Sequence, residues 1–236
     1  MNKQIIITGP PFTGKGTIAT IVEKIMQKAI DKNFIHLSTG EILRDNVKDN
    51  TELGAEAKTY MDSGKLVPDE LIDKIVRAAL SEVKYENFLL DGYPRTVSQS
   101  ESFVNLMKRA GKPIDYIIDL YCSKKVLEKR VSGRRQCSND KCGKSYNLYI
   151  PDFAPKKSNA CDKCGSKLTR RADDSLDKFR LRYDIYKKQT EPAMSTLFKE
   201  YHVPIIRVSS EQTKEKTIVD LCGILNICGK TYSKFI

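Results

Sequence analysis

The chain begins with a strand-like run that leads through a glycine-containing loop into a helix. Residues 4–8 (QIIIT) are a short, mostly apolar segment, and Gly9-Pro10-Pro11 ends it. From residue 15 to residue 30, apolar side chains recur at the spacing of one helix face. Similar apolar runs, each followed by a helical pattern, lie at 34–37, 87–90, 115–121 and 204–208. Because these runs are apolar without alternation, they predict strands buried on both faces, and so an α/β fold with a central parallel sheet flanked by helices.

The loop at residues 9–17, GPPFTGKGT, fits the pattern G-x4-G-K, with the hydroxyl of Thr17 one place later than usual. It follows a strand and opens a helix, which distinguishes a phosphate-binding loop from a glycine-rich turn with an incidental lysine. Backbone amides around Gly14 and Gly16 can surround the β- and γ-phosphates of a nucleotide. Lys15 adds a point charge, and Thr17 can reach Mg²⁺ or a phosphate oxygen. The loop therefore predicts a nucleotide site.

Positive charge is concentrated in one segment. The 236 residues carry a formal net charge of +11, and the segment from Arg134 to Arg171 holds ten basic residues against three acids, or +7 of that total. Such a concentration suits a polyphosphate as well as a nucleic-acid backbone. With only two histidines, His36 and His202, a three-histidine metal site is excluded, and we expect both to be structural or surface residues.

The apolar segments are too short to span a membrane, which needs about 18 consecutive apolar residues. The first residues, MNKQ, lead directly into the first predicted strand and carry no signal-peptide core or transit sequence. We therefore expect an intracellular protein, most simply a cytoplasmic one. A mitochondrial matrix protein without a cleavable presequence would look the same.

Four of the seven cysteines lie in the basic segment as two close pairs. Cys137-x4-Cys142 and Cys161-x2-Cys164 are each followed by a glycine, a pattern that suits a tetrahedral zinc site with four thiolates. Free thiols or iron are the alternatives. Four cysteines leave no open coordination position, so we expect the zinc to be structural and to replace a core that this segment, with few apolar residues, cannot form. The other cysteines, at positions 122, 222 and 228, are expected to be buried small apolar residues.

Further motifs follow the loop in a fixed order. They are STGEILR at 38–44, MDSGKLV at 61–67, FLLDGYPRT at 88–96, RVSGRR at 130–135 and RADD at 171–174. This ordered set, spread over essentially the whole chain, resembles the adenylate kinases and their nucleoside-monophosphate kinase relatives.

The resemblance implies roles for individual residues. Lys15 with Arg134, Arg171 and Arg182 would contact the transferring phosphate, and Arg95 with Arg44 would clamp the acceptor α-phosphate by bidentate pairing. Asp91 would hold Mg²⁺ through water. The implied ATP ligands are Gly14, Lys15, Gly16, Thr17, Arg130 and Arg134, and the implied AMP ligands are Thr39, Arg44, Lys65, Val67, Gly92, Arg95 and Gln99.

Two of these implied residues carry a specific physical expectation. Arg130 matches the family position that stacks on the donor base, and its spacing of four from Arg134 predicts that both share a helix face. The amide of Gln99 can accept a hydrogen bond from the adenine amino group and donate one to a ring nitrogen, a pairing that guanine cannot satisfy.

The chain departs from the family pattern at two places. Phe12 stands where the family usually has glycine, and a bulky residue tolerates positive φ poorly and crowds the phosphates. The first cysteine pair encloses four residues where relatives with a zinc-bearing lid typically have two. These departures concern the loop conformation and the zinc site respectively.

The resemblance also implies a domain organisation. A P-loop kinase core would comprise residues 1–37, 68–133 and 173–236, with a helical NMP(AMP)-binding insert at 38–67 and a small zinc-ribbon-like lid at 134–172. The insert would start at a turn at Ser38-Thr39-Gly40. A long amphipathic helix would begin at Asp173, with Asp173 and Asp174 at its N-terminus, where the helix dipole favours negative charge.

The expected activity is a reversible, Mg²⁺-dependent transfer of a phosphoryl group from ATP to AMP, giving two ADP, by a monomer that binds neither nucleic acid nor membrane. A GTP:AMP phosphotransferase is the alternative, because the side chains at 209–214 do not distinguish the two donors. A zinc-ribbon nucleic-acid-binding protein with an accessory ATP site is the alternative from another class. Against it, the basic segment has few interleaved aromatics, Tyr146, Tyr149 and Phe153.

Overall fold

The computed structural model describes residues 3–29, 33–139, 141–171 and 174–225. Their strands are β1 (Gln4–Thr8), β2 (Ile35–Ser38), β3 (Phe88–Asp91), β4 (Tyr116–Tyr121), β5 (Arg134–Cys137), β6 (Ser145–Asn147), β7 (Leu168–Thr169) and β8 (Ile205–Ser209). Their α-helices are α1 (Lys15–Ala29), α2 (Thr39–Lys48), α3 (Glu52–Ser63), α4 (Asp69–Glu82), α5 (Val97–Arg109), α6 (Lys124–Gly133), α7 (Leu176–Ile185), α8 (Glu191–Tyr201) and α9 (Lys214–Ile224).

Five of these strands form one sheet in the order β2-β3-β1-β4-β8, and every pairing is parallel. Every residue of β1 and of β3 is buried. Ile6 and Leu90 belong to an apolar cluster on one side of the sheet, and Ile5 and Leu89 to a cluster on the other. Helices therefore cover both faces, which explains the continuous apolar runs and confirms the predicted fold class.

The later strands of this sheet begin one residue after the predicted positions. The reason is visible at Asn87, whose φ of +52° lies outside the extended region, so β3 starts at Phe88. The expected turn at Ser38-Thr39-Gly40 is a helix start, because the Ser38 hydroxyl accepts a hydrogen bond from the Glu41 amide at 3.3 Å and caps α2.

The long helix expected from Asp173 begins later and is interrupted. Ser175 caps α7 by accepting from the Lys178 amide at 3.2 Å, whereas Asp173 lies outside the described residues. A π-helical turn, Tyr186–Thr190, separates α7 from α8. Pro192, at the start of α8, has no amide hydrogen to continue the regular α-helical pattern, which accounts for the break.

The cysteine-bearing segment forms a separate three-stranded antiparallel sheet in the order β6-β5-β7. Among the residues of this segment that the structure describes, the apolar cluster contains only Tyr146 and Leu168 besides cysteines 137, 142 and 161. This small cluster agrees with the expectation that the segment has no sufficient core of its own. Among the described helices, none combines the length and apolar character that crossing a bilayer requires.

Close packing of α2 on α3 depends on Gly54. A Cβ added there would lie 2.1 Å from the backbone oxygen of Asn46, so Gly54→Ala should destabilise the protein by about 1–3 kcal/mol despite the higher helix propensity of alanine. Gly223 in α9 is the control, since an added Cβ would meet no described atom within 4 Å and Gly223→Ala should be neutral or stabilising by about 0.5 kcal/mol. Urea unfolding midpoints measure both, and equal midpoints for the two variants would contradict the packing argument.

Candidate active site

A cavity of about 450 Å³ lies where the parallel strands end at their carboxyl edge, the usual position of ligand sites in open α/β sheets. The sequence-predicted residues that line it are Lys15, Thr39, Arg44, Lys65, Val67, Gly92, Arg95, Gln99, Arg171 and Arg182. They come from the start of α1, from α2, from the connection between α3 and α4, from the turn after β3, from α5, from the end of the cysteine-bearing segment and from α7. The fold thus brings together residues that are up to 167 positions apart, since 182 − 15 = 167.

The phosphate loop holds its lysine inside a partly enclosed space. Lys15 Nζ donates to the carbonyl oxygens of Gly9 at 2.8 Å and Pro10 at 3.0 Å. The pKa of Lys15 is lowered to about 8, mainly by loss of solvent and also by the nearby arginines 95, 182 and 134, while Asp91 opposes the shift. An anion placed here would restore the favourable environment for the ammonium group.

Arg95 is fixed by the turn that follows β3. Its Nε donates to the Gly92 carbonyl oxygen at 2.7 Å. Its pKa falls to about 10 because of burial and the repulsion of Arg182 and Arg44, opposed by Asp91. Gly92 has φ +89°, and a Cβ there would lie 2.6 Å from the Thr39 hydroxyl, so glycine is required for this close approach.

Gln99 is fully oriented by two neighbours. It is 1% exposed, its Oε1 accepts from the Arg95 amide at 2.7 Å, and its Nε2 donates to Asp69 Oδ1 at 2.6 Å. Asp69 also accepts from the Thr96 hydroxyl that caps α5. Sequence reasoning missed Asp69, because an acid in the first turn of a helix is already explained by the helix dipole.

Asp91 ends β3 and is 8% exposed. Its Oδ2 lies 3.7 Å from where a Cβ on Gly16 would be, so the carboxylate faces the phosphate loop. His36 Nε2 lies 3.4 Å from the same oxygen, and the His36 side chain is only 9% exposed. His36 is therefore an interior neighbour of Asp91, consistent with a structural role and not with a surface one.

Arg130 and Arg134 do not share a helix face. Arg130 lies in α6 and is buried. Its guanidinium donates to the hydroxyl of Ser210 at 3.0 Å, to the carbonyl oxygen of Ser210, and to the carbonyl oxygen of Thr13 at 3.4 Å. Arg134 follows the end of α6 with extended backbone angles and starts β5. The expected common face was wrong because the helix ends at Gly133, one residue before the second arginine.

Arg134 instead makes a paired hydrogen bond with Asp174. Its Nε donates to Asp174 Oδ2 at 2.9 Å and its Nη2 donates to Oδ1, and the carboxylate is inaccessible to solvent. The acid expected to serve the helix dipole therefore holds an arginine. Arg130 and Arg134, with Gly14, Gly16, Thr17 and Asp91, lie outside the cavity lining.

Comparison with known proteins identifies the family. A sequence model described as Adenylate kinase matches residues 7–202. A protein named Adenylate kinase from Methanosarcina acetivorans is 44% identical over 225 residues, covering 94% of this chain and 97% of that protein. A protein of the same name from Petrotoga mobilis is 40% identical, over 96% of this chain and 99% of that protein. Another from Bacillus pumilus is 43% identical, over 81% of this chain and 84% of that protein. The chain belongs to the adenylate kinase family.

Membership of the adenylate kinase family makes the chain a nucleoside-monophosphate kinase, that is, a phosphotransferase. The geometry of the cleft is consistent with this class, since seven cationic side chains line it: Lys15, Arg44, Lys58, Lys65, Arg95, Arg171 and Arg182.

The four cysteines of the basic segment lie close enough to bind one metal ion. Their sulfur atoms are all within 4.8 Å of one another, with Cys137 and Cys164 at 3.4 Å and Cys142 and Cys161 at 3.7 Å. A tetrahedral zinc with bonds of about 2.3 Å needs sulfur separations of about 3.8 Å. The donor set and spacing therefore fit structural zinc.

The longer first cysteine pair is accommodated by a turn at Asn139. Its carbonyl oxygen accepts from the amides of Cys142 at 2.9 Å and Gly143 at 3.0 Å, and its own amide donates to Cys137 Sγ at 3.4 Å. The Tyr146 hydroxyl lies 3.3 Å from Cys161 Sγ. Of the remaining cysteines, Cys222 is buried as expected and Cys122 is half-buried, while the one at position 228 lies outside the described residues.

Proposed function

We propose that this chain transfers the terminal phosphoryl group of Mg²⁺-ATP to AMP, reversibly, giving two ADP. The observation that carries the proposal is the convergence of Lys15 with Arg44, Arg95, Arg171 and Arg182 on one cavity. Phosphoryl transfer needs positioning and cations around the transferring group more than a strong base. The names of the relatives support this choice of substrates.

The cationic side chains divide by their place in the cleft. Lys15 belongs to the loop that would hold the donor phosphates, while Arg95 from the turn after β3 and Arg44 from α2 would clamp the acceptor α-phosphate. Arg182 from α7 lies near enough to both Lys15 and Arg95 to lower the pKa of each. Between these groups a transferring phosphoryl group would find its developing charge matched by fixed guanidinium groups.

The orientation of Gln99 supports an adenine acceptor. With Oε1 already accepting from the Arg95 amide and one Nε2 hydrogen directed to Asp69, the amide cannot rotate without losing both bonds. Its remaining lone pair and remaining N–H would pair with the amino group and a ring nitrogen of adenine. Guanine presents an oxygen and an N–H in those places and would oppose both groups.

Asp91 and Thr17 fit a Mg²⁺ ion that arrives with the donor. The Asp91 carboxylate faces the phosphate loop beside Gly16, and Mg²⁺ prefers such oxygen ligands, often through water. When bound, the ion neutralises phosphate charge. His36 Nε2 lies 3.4 Å from the same carboxylate.

Steady-state rates with ATP or GTP against AMP, CMP, UMP and GMP test the proposed substrates. We expect ATP with AMP to give the highest kcat/KM and GMP to be poorly used, because of the fixed Gln99 amide. A preference for GTP would identify a GTP:AMP phosphotransferase. Absence of transfer to any monophosphate, together with tight binding of RNA or DNA, would instead favour the zinc-ribbon nucleic-acid-binding alternative.

Arg182 and Arg180 form a matched pair on α7. Arg182 lines the cavity, whereas Arg180 is 58% exposed and pairs loosely with Glu128 at 3.8 Å and Asp177 at 3.9 Å. Arg182→Ala should lower kcat by about 10² to 10³, since a transition-state cation is lost. Arg180→Ala should stay within about twofold, because exposed ion pairs contribute little. Similar kcat values for the two variants would remove Arg182 from the site.

We further propose that residues 38–67 are the AMP-binding insert and 134–172 a zinc-bearing lid on a core of 1–37, 68–133 and 173–236. Closing both over the core would exclude water, which would otherwise hydrolyse the triphosphate. We expect a monomer acting on free nucleotides in the cytoplasm. The position of Arg171 in the cavity lining supports a role for the positive charge of the lid in binding nucleotide phosphates.

The purified chain should contain one zinc ion per molecule, measured by mass spectrometry. Cys161→Ser should lose the metal and unfold the lid at a lower temperature, while AMP binding through Arg44 and Arg95 stays nearly unchanged, because the sheet core is independently buried. Cys122→Ser, outside the cluster, is the control and should keep its zinc. Four freely titrating thiols in the native wild-type protein would contradict a zinc site.

A further inference from the structure

Phe12 occupies a backbone conformation that phenylalanine rarely adopts. Its φ is +66°, in the left-handed region that favours glycine. A strained side chain of this kind persists only where its contacts offset the strain. The contacts of the ring therefore indicate why it is present.

One edge of the Phe12 ring is fixed by the core. Its centroid lies 5.7 Å from that of Phe179, with the ring planes at 75°, an edge-to-face arrangement. Phe179 is fully buried with Leu127 and Val131, so the contact joins the phosphate loop to α6 and α7. These two helices flank the cysteine-bearing segment, since α6 ends just before Arg134 and α7 begins just after Ser175.

The face of the Phe12 ring supports the guanidinium of Arg134. Arg134 Cζ lies 4.3 Å from the ring centroid, well inside the range of cation–π attraction. Asp174 holds the edge of the same guanidinium through Nε and Nη2. Arg134 is thus held in its plane by a carboxylate and against its face by an aromatic ring.

This second support has an electrostatic reason. Arg134 is close enough to Lys15 to lower the pKa of the lysine, so the two cations repel each other. Asp174 binds the guanidinium through Nε and Nη2. The π face of Phe12 lies against the same guanidinium and favours its position near the loop.

We propose that Phe12 is a positioning residue, whose ring orients Arg134 for the transferring phosphate and couples the phosphate loop to the base of the lid. The role of Arg134 in this inference rests on the proposed function. The ring's contact with the guanidinium does not, and it can be tested separately.

Nuclear magnetic resonance of arginine side chains tests the contact without any activity measurement. The δ-methylene protons of Arg134 should be shifted upfield by the ring current of Phe12, with the signal assigned through Arg134→Lys. Phe12→Tyr should preserve the shift, and Phe12→Leu should abolish it. An unshifted Arg134 signal in the wild-type protein would overturn the proposal, whatever the enzyme does.

Steady-state kinetics test the consequence for catalysis. Phe12→Leu can still pack against Phe179 but has no π face, so kcat should fall about threefold to tenfold, with the KM for AMP unchanged and the melting temperature close to that of the wild type. Phe12→Tyr should restore kcat to within about twofold. An unchanged kcat in Phe12→Leu would overturn the proposal, because Phe12 would then act only in packing.

A double-mutant comparison separates positioning from general damage to the loop. In an Arg134→Met background, Phe12→Leu should lower kcat no further, because the group that the ring positions is already gone. An equal loss in both backgrounds would overturn the proposal. If the wild-type chain shows no phosphoryl transfer to AMP while the ring-current shift is present, the proposed function fails and the contact stands.

Discussion

The site depends on keeping like charges close together before any ligand arrives. Three lysines and four arginines line a single cavity, and burial and mutual repulsion lower the pKa values of two of them, Lys15 and Arg95. Backbone carbonyls of Gly9, Pro10 and Gly92 bind these cations directly. Because the parallel sheet fixes those carbonyls, the positive groups are held in place for a polyphosphate and need little reorganisation when it binds.

The carboxylates around the cleft are the counterpart of that charge. Asp91 opposes the pKa depression of both Lys15 and Arg95, and Asp174 binds the edge of Arg134. Asp69 serves a different purpose, because it orients an uncharged amide. None of these three acids lies in the cavity lining itself, so they act on the cleft through the neighbouring side chains.

The cysteine-bearing segment must also hold arginines in place, although it has only a small apolar cluster. It contributes Arg134 at one end and Arg171 at the other, yet its apolar cluster contains little besides Tyr146, Leu168 and the cysteines. A bound zinc ion would stabilise this segment in place of a larger apolar core, because the free energy of metal binding contributes to folding in so small a unit. The proposed metal site and the proposed catalytic arginines are thus linked through one short sheet.

Local sequence patterns were sufficient to predict the parallel sheet, from its apolar runs, and to indicate the phosphate loop and the cysteine cluster, from the spacing of their motifs. Strand ends were displaced by one residue where a backbone torsion intervened, as at Asn87. The hydrogen bond between Gln99 and Asp69 joins residues 30 positions apart and leaves no local signal. The same holds for Arg134 and Asp174, 40 positions apart, whose pairing depends on where α6 ends.

The sequence by itself determined the fold class, the family and the types of residue available for the chemistry, because hydrophobic spacing and ordered motifs are properties of the chain. Only the tertiary structure decided which acidic side chain contacts which basic side chain. The strand order β2-β3-β1-β4-β8 places Asp91 beside both His36 and the phosphate loop. It likewise took the packing of α6 and α7 to show that Phe12 lies between Phe179 and Arg134. Contacts of this kind arise from distances in space, which the order of residues along the chain does not contain.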